Sequence, residues 1–252
     1  MKKYFLLLFA ISCIVPSAFA QVTIKNDQQY VGDDGAFHVV GEVQNNLDSP
    51  LSQVNVFVTL YDENDNVIVT KDTRSLVNII MPEMKGPFDF IFTDIKQEQV
   101  KSYSLDLDYS ISEPKGQAID ITSSELSRDS FKNLIISGTV ENRGDITANT
   151  LAVVVTIYDR NGNVAAVSRI HPEPDYLGSD DDTFFVVSVL DKNQISDISD
   201  YTIVAESEEY VAAPEFPIGS LILLAGSVSA YIGITRSSSR IITNLISATN
   251  PK

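Results

Sequence analysis

The chain has 252 residues, a formal net charge of −16 and a single cysteine, Cys13. Setting aside Lys2 and Lys3 at one end and Arg236, Arg240 and Lys252 at the other leaves −21 on residues 21–235, which repels phosphate backbones and excludes nucleic acid as a partner. One thiol rules out a disulfide framework and a thiolate metal site.

Residues 1–20 read as a secretory signal peptide. Lys2 and Lys3 precede a short apolar core from Tyr4 to Val15, and Ala18 and Ala20 supply the small residues before a cut that leaves Gln21 as the mature start. Cys13 lies inside that core, so the expected mature chain carries no thiol and no cysteine nucleophile.

The next 190 or so residues repeat at an offset of 97. Gly41, Val43 and Asn45 align with Gly138, Val140 and Asn142. Tyr61, Asp62, Asn64, Asn66 and Val67 fall on Tyr158, Asp159, Asn161, Asn163 and Val164, and Phe88 falls on Phe185. Both copies read as β. The even positions from Val54 to Leu60 are all aliphatic, and Leu151, Val153, Val155 and Ile157 repeat that buried face. Turn signals separate Val-, Ile-, Thr- and aromatic-rich runs, and no window has a convincing amphipathic helix. The expected fold is all-β, with two tandem immunoglobulin-like β-sandwich domains at 21–112 and 117–210, each of about seven strands. The linker at 113–116 is too short for free domain motion, which predicts a rigid two-domain rod. Asn161-Gly162 is a two-residue hairpin signal, and Asn64-Asp65 is its weaker counterpart.

Gly41-x-Val43-x-Asn45 followed by Val58-Thr59-Leu60-Tyr61-Asp62, and its repeat through Val155-Thr156-Ile157-Tyr158-Asp159, resembles the FxLYD family of small extracytoplasmic β domains. Both copies carry Val where the family name has Phe. The resemblance implies an immunoglobulin-like sandwich and brings no catalytic residues with it.

Residues for catalysis are few. His38 and His171 are the two imidazoles. His38 alternates with Phe37 and Val39, which predicts a strand residue on a surface face. His171 lies in a loop beside Glu173 and Asp175, the one centre an enzyme reading would use. No HExxH, GxSxG, Walker or dinucleotide-glycine pattern occurs, so the expectation is a protein that is not an enzyme and needs no cofactor. Asp62, Asn64 and Asn66, and Asp159, Asn161 and Asn163, place oxygens at alternate positions as a calcium loop begins. Neither run has the Gly at the sixth or the Glu at the twelfth position that completes an EF-hand, and a hairpin turn accounts for both. Asp180, Asp181 and Asp182 form a further weak calcium candidate or a solvated loop.

After a stalk at 211–217, residues 218–235 carry no charge, and at helical rise they span roughly 27 Å, close to a bilayer's hydrocarbon core. A single transmembrane helix is expected there, with a basic cytoplasmic tail at 236–252. Pro214-Glu215-Phe216, then this apolar run, then Arg236 and Arg240, resembles the PEF-CTERM type of archaeal sorting signal. That resemblance implies recognition of Pro214, Glu215 and Phe216 by an archaeosortase-like enzyme, which removes the helix in favour of a lipid anchor; an uncut single-pass anchor is the other reading. Either one holds residues 21–210 outside the cell at the membrane. The expected role is structure, spacing or adhesion in the envelope, beside other envelope proteins. The alternative is an extracellular ligand- or divalent-cation-binding module, or an accessory subunit of a membrane complex.

Overall fold

The computed structural model describes residues 21–131, 133–189 and 198–212. The expected signal peptide, the Pro214-Glu215-Phe216 motif, the apolar run and the tail with Arg236 and Arg240 lie outside the described residues. Among the described residues there is no α-helix, and no helix long and apolar enough to cross a membrane.

Fourteen strands and a 3-10 turn at Gln97–Gln99 make up the described chain, so the all-β expectation holds. The first seven strands are β1 (Val22–Val31), β2 (Phe37–Asn45), β3 (Leu51–Tyr61), β4 (Val67–Arg74), β5 (Ile79–Ile80), β6 (Lys85–Phe92) and β7 (Ser102–Ile111). The next seven are β8 (Gly116–Arg128), β9 (Leu134–Asn142), β10 (Ala152–Asp159), β11 (Val164–Ile170), β12 (Asp182–Val189), β13 (Ile198–Glu206) and β14 (Tyr210–Ala212). The first set makes a β1-β2-β6 sheet and a β4-β3-β7 sheet, with β5 pairing the start of β3. The second makes β12-β9-β8-β14 and β11-β10-β13. Val211 and Ala212, placed in the stalk on sequence grounds, belong to β14, which runs parallel to β8.

The repeat is visible in the hydrogen-bond ladders. Val22 faces Asn45 as Ile119 faces Asn142, and Gly41 faces Phe88 as Gly138 faces Phe185. Tyr61 faces Val67 after an irregularity that recurs at Tyr158 and Val164. One departure occurs late: Val56 faces Leu107, but Val153 faces Ala205, so one residue is added between β12 and β13. The recurring glycine has a packing cause. A Cβ on Gly41 would stand 2.6 Å from Cζ of Phe88, and one on Gly138 would stand 2.8 Å from Cζ of Phe185. The ring of the paired phenylalanine occupies the volume that any other residue would need.

Burial then separates the strands into two kinds. β3 and β9 alternate between buried and half-buried positions, as a strand with one solvated face must. β2 is buried at all nine positions and β10 at seven of its eight. An antiparallel strand buried on both faces lies between two layers. The outward residues of β2 pack against β10 and β11, where Val40 clusters with Tyr158 and Val164 and Glu42 meets the Tyr158 hydroxyl. Val154 and Val204 join the apolar cluster of the first set, and Tyr30, Val40, Tyr158 and Val164 form a cluster between the sets. The result is four stacked sheets, with β1-β2-β6 and β11-β10-β13 inside.

This stack corrects two expectations. The halves sit face to face rather than as a rod, because the outward face of β10 (Ala152, Val154, Thr156) is too apolar to remain in water. His38 is not a surface residue either. It is 9% exposed and stacks, with ring centroids 4.7 Å apart, on Tyr30, which packs in the cluster between the sets.

Candidate functional site

The paired calcium candidates fold into turns in which the aspartate serves the backbone. Asp62 Oδ1 accepts the N–H groups of Asn64 and Asn66, both at 2.8 Å, and Oδ2 accepts Asn66 Nδ2 at 3.1 Å. Asp159 does the same with Asn161 at 2.8 Å and Asn163 at 2.9 Å. In each loop one residue has positive φ, Asp65 at 61° and Gly162 at 84°. Asp62 N–H donates to Asn66 O and Asp65 N–H to Asp62 O, so three residues connect the strands instead of the expected two. A type I turn closed by one left-handed residue needs only that single positive φ, and the aspartate cap stabilises it. The side-chain amide of Asn66 and then its backbone N–H hold the Asp62 carboxyl below the usual carboxylate range.

A third turn of this kind escaped the sequence reading. Asp129 Oδ1 accepts Phe131 N–H at 2.9 Å and Asn133 N–H at 2.8 Å, and Oδ2 accepts Asn133 Nδ2 at 2.8 Å. The shared signal is Asp with Asn four residues later; the middle residue is Asn in the first two loops and Phe131 in the third. Because these aspartates already accept two or three internal donors, millimolar calcium, roughly the weak end of extracellular sites, is expected to leave the melting temperature unchanged. A saturable upward shift in a calcium titration followed by calorimetry would contradict that assignment.

Asp180, Asp181 and Asp182 serve the entry to β12. Asp180 has φ 61° and donates its N–H to Asn142 O at 2.8 Å, Asp181 O accepts Asn142 N–H at 2.9 Å, and Asp182 faces Glu141. Among the described residues no group of three or more His, Cys, Asp or Glu side chains is disposed to hold a metal ion.

His171 begins a loop through Tyr176 that borders a depression of about 460 Å³. Its Nδ1 donates to Leu151 O at 2.8 Å, and Asp175 O accepts Leu151 N–H at 2.7 Å. The ring therefore pins the loop to the approach of β10. His38 Nδ1 lies 3.1 Å from Asp89 Oδ1, a cross-strand link between β2 and β6.

The charged groups with the most distinctive surroundings lie between the halves. Glu42 is fully buried on β2; its Oε1 accepts Lys85 Nζ and Asn26 Nδ2, both at 2.6 Å, and its Oε2 accepts Tyr158 OH at 2.8 Å. Lys85 Nζ also stands 5.4 Å from the centre of the Tyr158 ring. Burial first, and the adjacent Glu42 charge among lesser causes, push the Tyr158 phenol up. Glu206, 2% exposed, accepts Arg169 at 2.7 Å and Asn78 N–H at 3.0 Å, while the same Arg169 nitrogen donates to Leu76 O. Burial raises the Glu206 carboxyl against the opposing pull of Asn78 and Arg169. These groups were missed because nothing local marks Glu42 or Glu206 as buried. The available signal was the unbroken apolar run from Leu151 to Val155, where copy one alternates.

No family model matches the chain. No curated protein matches it either. Among solved structures it is similar to the exo-chitosanase CsxA of Amycolatopsis orientalis, at 9% identity and TM-score 0.25 over 76% of this chain and 26% of that one. It is also similar to red sea bream transglutaminase, at 9% identity and TM-score 0.24 over 77% and 31%. A calcium binding mutant of Bacteroides uniformis β-glucuronidase 2 shows 13% identity and TM-score 0.22 over 66% and 23%. The chain thus spans less than a third of each of those structures.

Chemically, the described geometry joins strands and halves. Carboxylates cap turns, two buried acids meet donors from the other half, and both imidazoles hold backbone or strand neighbours in place.

Proposed function

We propose a non-catalytic, exported and membrane-tethered protein of the cell envelope, built from two immunoglobulin-like sandwiches in tandem and acting in spacing or assembly. The observation that carries this reading is the buried interface. Glu42 on β2 and Glu206 on β13, the best-enclosed carboxylates of the described chain, take donors from the opposite half. Such an interface makes a stiff unit from two small sandwiches, which suits a spacer or a building block. The signal-peptide pattern of Ala18 and Ala20 and the apolar run after Pro214-Glu215-Phe216 support the envelope location. Under this reading Pro214, Glu215 and Phe216 form the recognition motif for an archaeosortase-like enzyme.

Protease treatment of intact cells, followed by intact-mass measurement of the membrane-bound protein, tests the proposal. The expected result is loss of the ectodomain to external protease, and a mature chain that begins at Gln21. Full-length chain with Met1 in the soluble cytosolic fraction would overturn it. A terminus at Lys252 would retain the tether and reject processing.

A further inference from the structure

The duplication shows what the fold requires at each strand position, so a reactive cluster found in one copy alone needs another cause. Asn26 sits where β1 breaks register against β2, at φ 55°. Its counterpart 97 residues later is Ser123, that of Glu42 is Thr139 and that of Lys85 is Asp182. In the second copy Ser123 Oγ donates to Thr139 Oγ1 at 3.2 Å, a contact between two hydroxyls. The first copy puts a carboxamide, a carboxylate and an amine in those places. The sandwich closes with either set.

One atom organises the three groups of the first copy. Glu42 Oε1 accepts both Lys85 Nζ and Asn26 Nδ2 at 2.6 Å, so the two nitrogens stand within roughly 5 Å of each other. Glu42 is fully buried, its Oε2 accepts the Tyr158 hydroxyl, and the Tyr158 ring flanks Lys85 Nζ at 5.4 Å. The Lys85 side chain is 39% exposed, which gives its flexible end room to move and a small leaving group a way out.

We propose that Lys85 and Asn26 join in an intramolecular isopeptide bond, with Glu42 carrying the protons. Glu42 takes one proton from the Lys85 ammonium, and the freed amine attacks Cγ of Asn26. The Nζ–Cγ bond forms and the Cγ–Nδ2 bond breaks. Glu42 returns its proton to Nδ2 and accepts the one that the new amide nitrogen sheds. Ammonia leaves with that proton as ammonium, so Glu42 ends ionised as it began and no oxidant or cofactor takes part. Holding amine and amide on one enclosed proton carrier supplies the encounter that free amides in water lack. The bond ties β1 to β6 across β2, in a sheet inside the stack. It goes beyond the envelope role and does not depend on the tether.

Trypsin reads the bond directly in the full chain as isolated. Residues 26–71 and 75–96 are expected in one branched peptide, uncut at Lys85 and lighter than its two linear parts by about 17 Da, the ammonia lost. Cyclisation of an N-terminal Gln21 would lose the same mass, but on the separate peptide 21–25. Glu42→Gln and Lys85→Arg are each expected to yield linear peptides only. Lys85→Arg keeps a cation beside Glu42, so circular dichroism should show its strands intact. Linear peptides alone from the folded parent chain would overturn the inference. A branched peptide in undiminished yield from Glu42→Gln would overturn the part given to Glu42.

Discussion

Arg169→Met is expected to destabilise the chain by about 3–5 kcal/mol, because it leaves the enclosed Glu206 carboxylate without its cation. Its bond to Leu76 O, the contact Arg169 makes across the halves, disappears as well. Urea denaturation reads the effect. The parent unfolds in one transition, since Val154 and Val204 are part of the first half's core, and the variant separates into two. A loss below about 1 kcal/mol would show that the pair merely decorates the interface.

Glu206→Gln supplies the pH arm of the same test. Burial raises the folded carboxyl above its ordinary value, so the folded state binds the proton more tightly than the unfolded state. The contribution of Glu206 is therefore complete below the ordinary glutamate range and declines as pH rises through the raised folded value. The stability of the parent relative to Glu206→Gln should accordingly fall as pH rises through that window. A difference that grows with pH would mean that the Arg169 charge, rather than burial, dominates.

The second large effect is expected at Asn142. Its Nδ2 donates to Ile146 O at 2.9 Å and to Leu177 O at 3.0 Å, and its Oδ1 accepts Gly144 N–H at 2.9 Å. Asn45 makes the corresponding set with Ser49 O at 3.0 Å, Ile80 O at 2.9 Å and Leu47 N–H at 2.9 Å. Each partner stands 97 residues before its counterpart. Alanine at either site orphans enclosed backbone groups, at a cost of about 2–4 kcal/mol. Asn142→Asp restores only the acceptor and buries a charge, so it should not recover the loss. Thermal melts of Asn45→Ala and Asn142→Ala should show similar decreases. A negligible change at either position would remove the asparagine from the account of the motif.

The Gly-x-Val-x-Asn pattern was legible as a repeat long before its purpose was. Gly41 and Asn45 recur because a phenylalanine ring and a loop's carbonyls occupy the space around them, which is a fact of cross-strand register. The turn at Asp62 was recognisable from residue type, but its length was not. Asn64-Asp65, like Asn161-Gly162 in the second copy, reads as a two-residue loop, and the aspartate's capture of two N–H groups selects three. His38 and Glu42 were opaque, since an outward strand position next to valine looks solvated until a neighbouring sheet is known to cover it.

Local pattern was sufficient for strands, a duplicated register and a strongly acidic body, because alternation, turn chemistry and charge act over a few residues. Which face each half turns to the other was settled by three-dimensional contact. Both halves carry nearly the same strands, and the pairing depends on apolar area and buried donors meeting across distances the chain order does not encode. Val154 in the first half's core and Tyr158 on Glu42 are the residues where that choice is made.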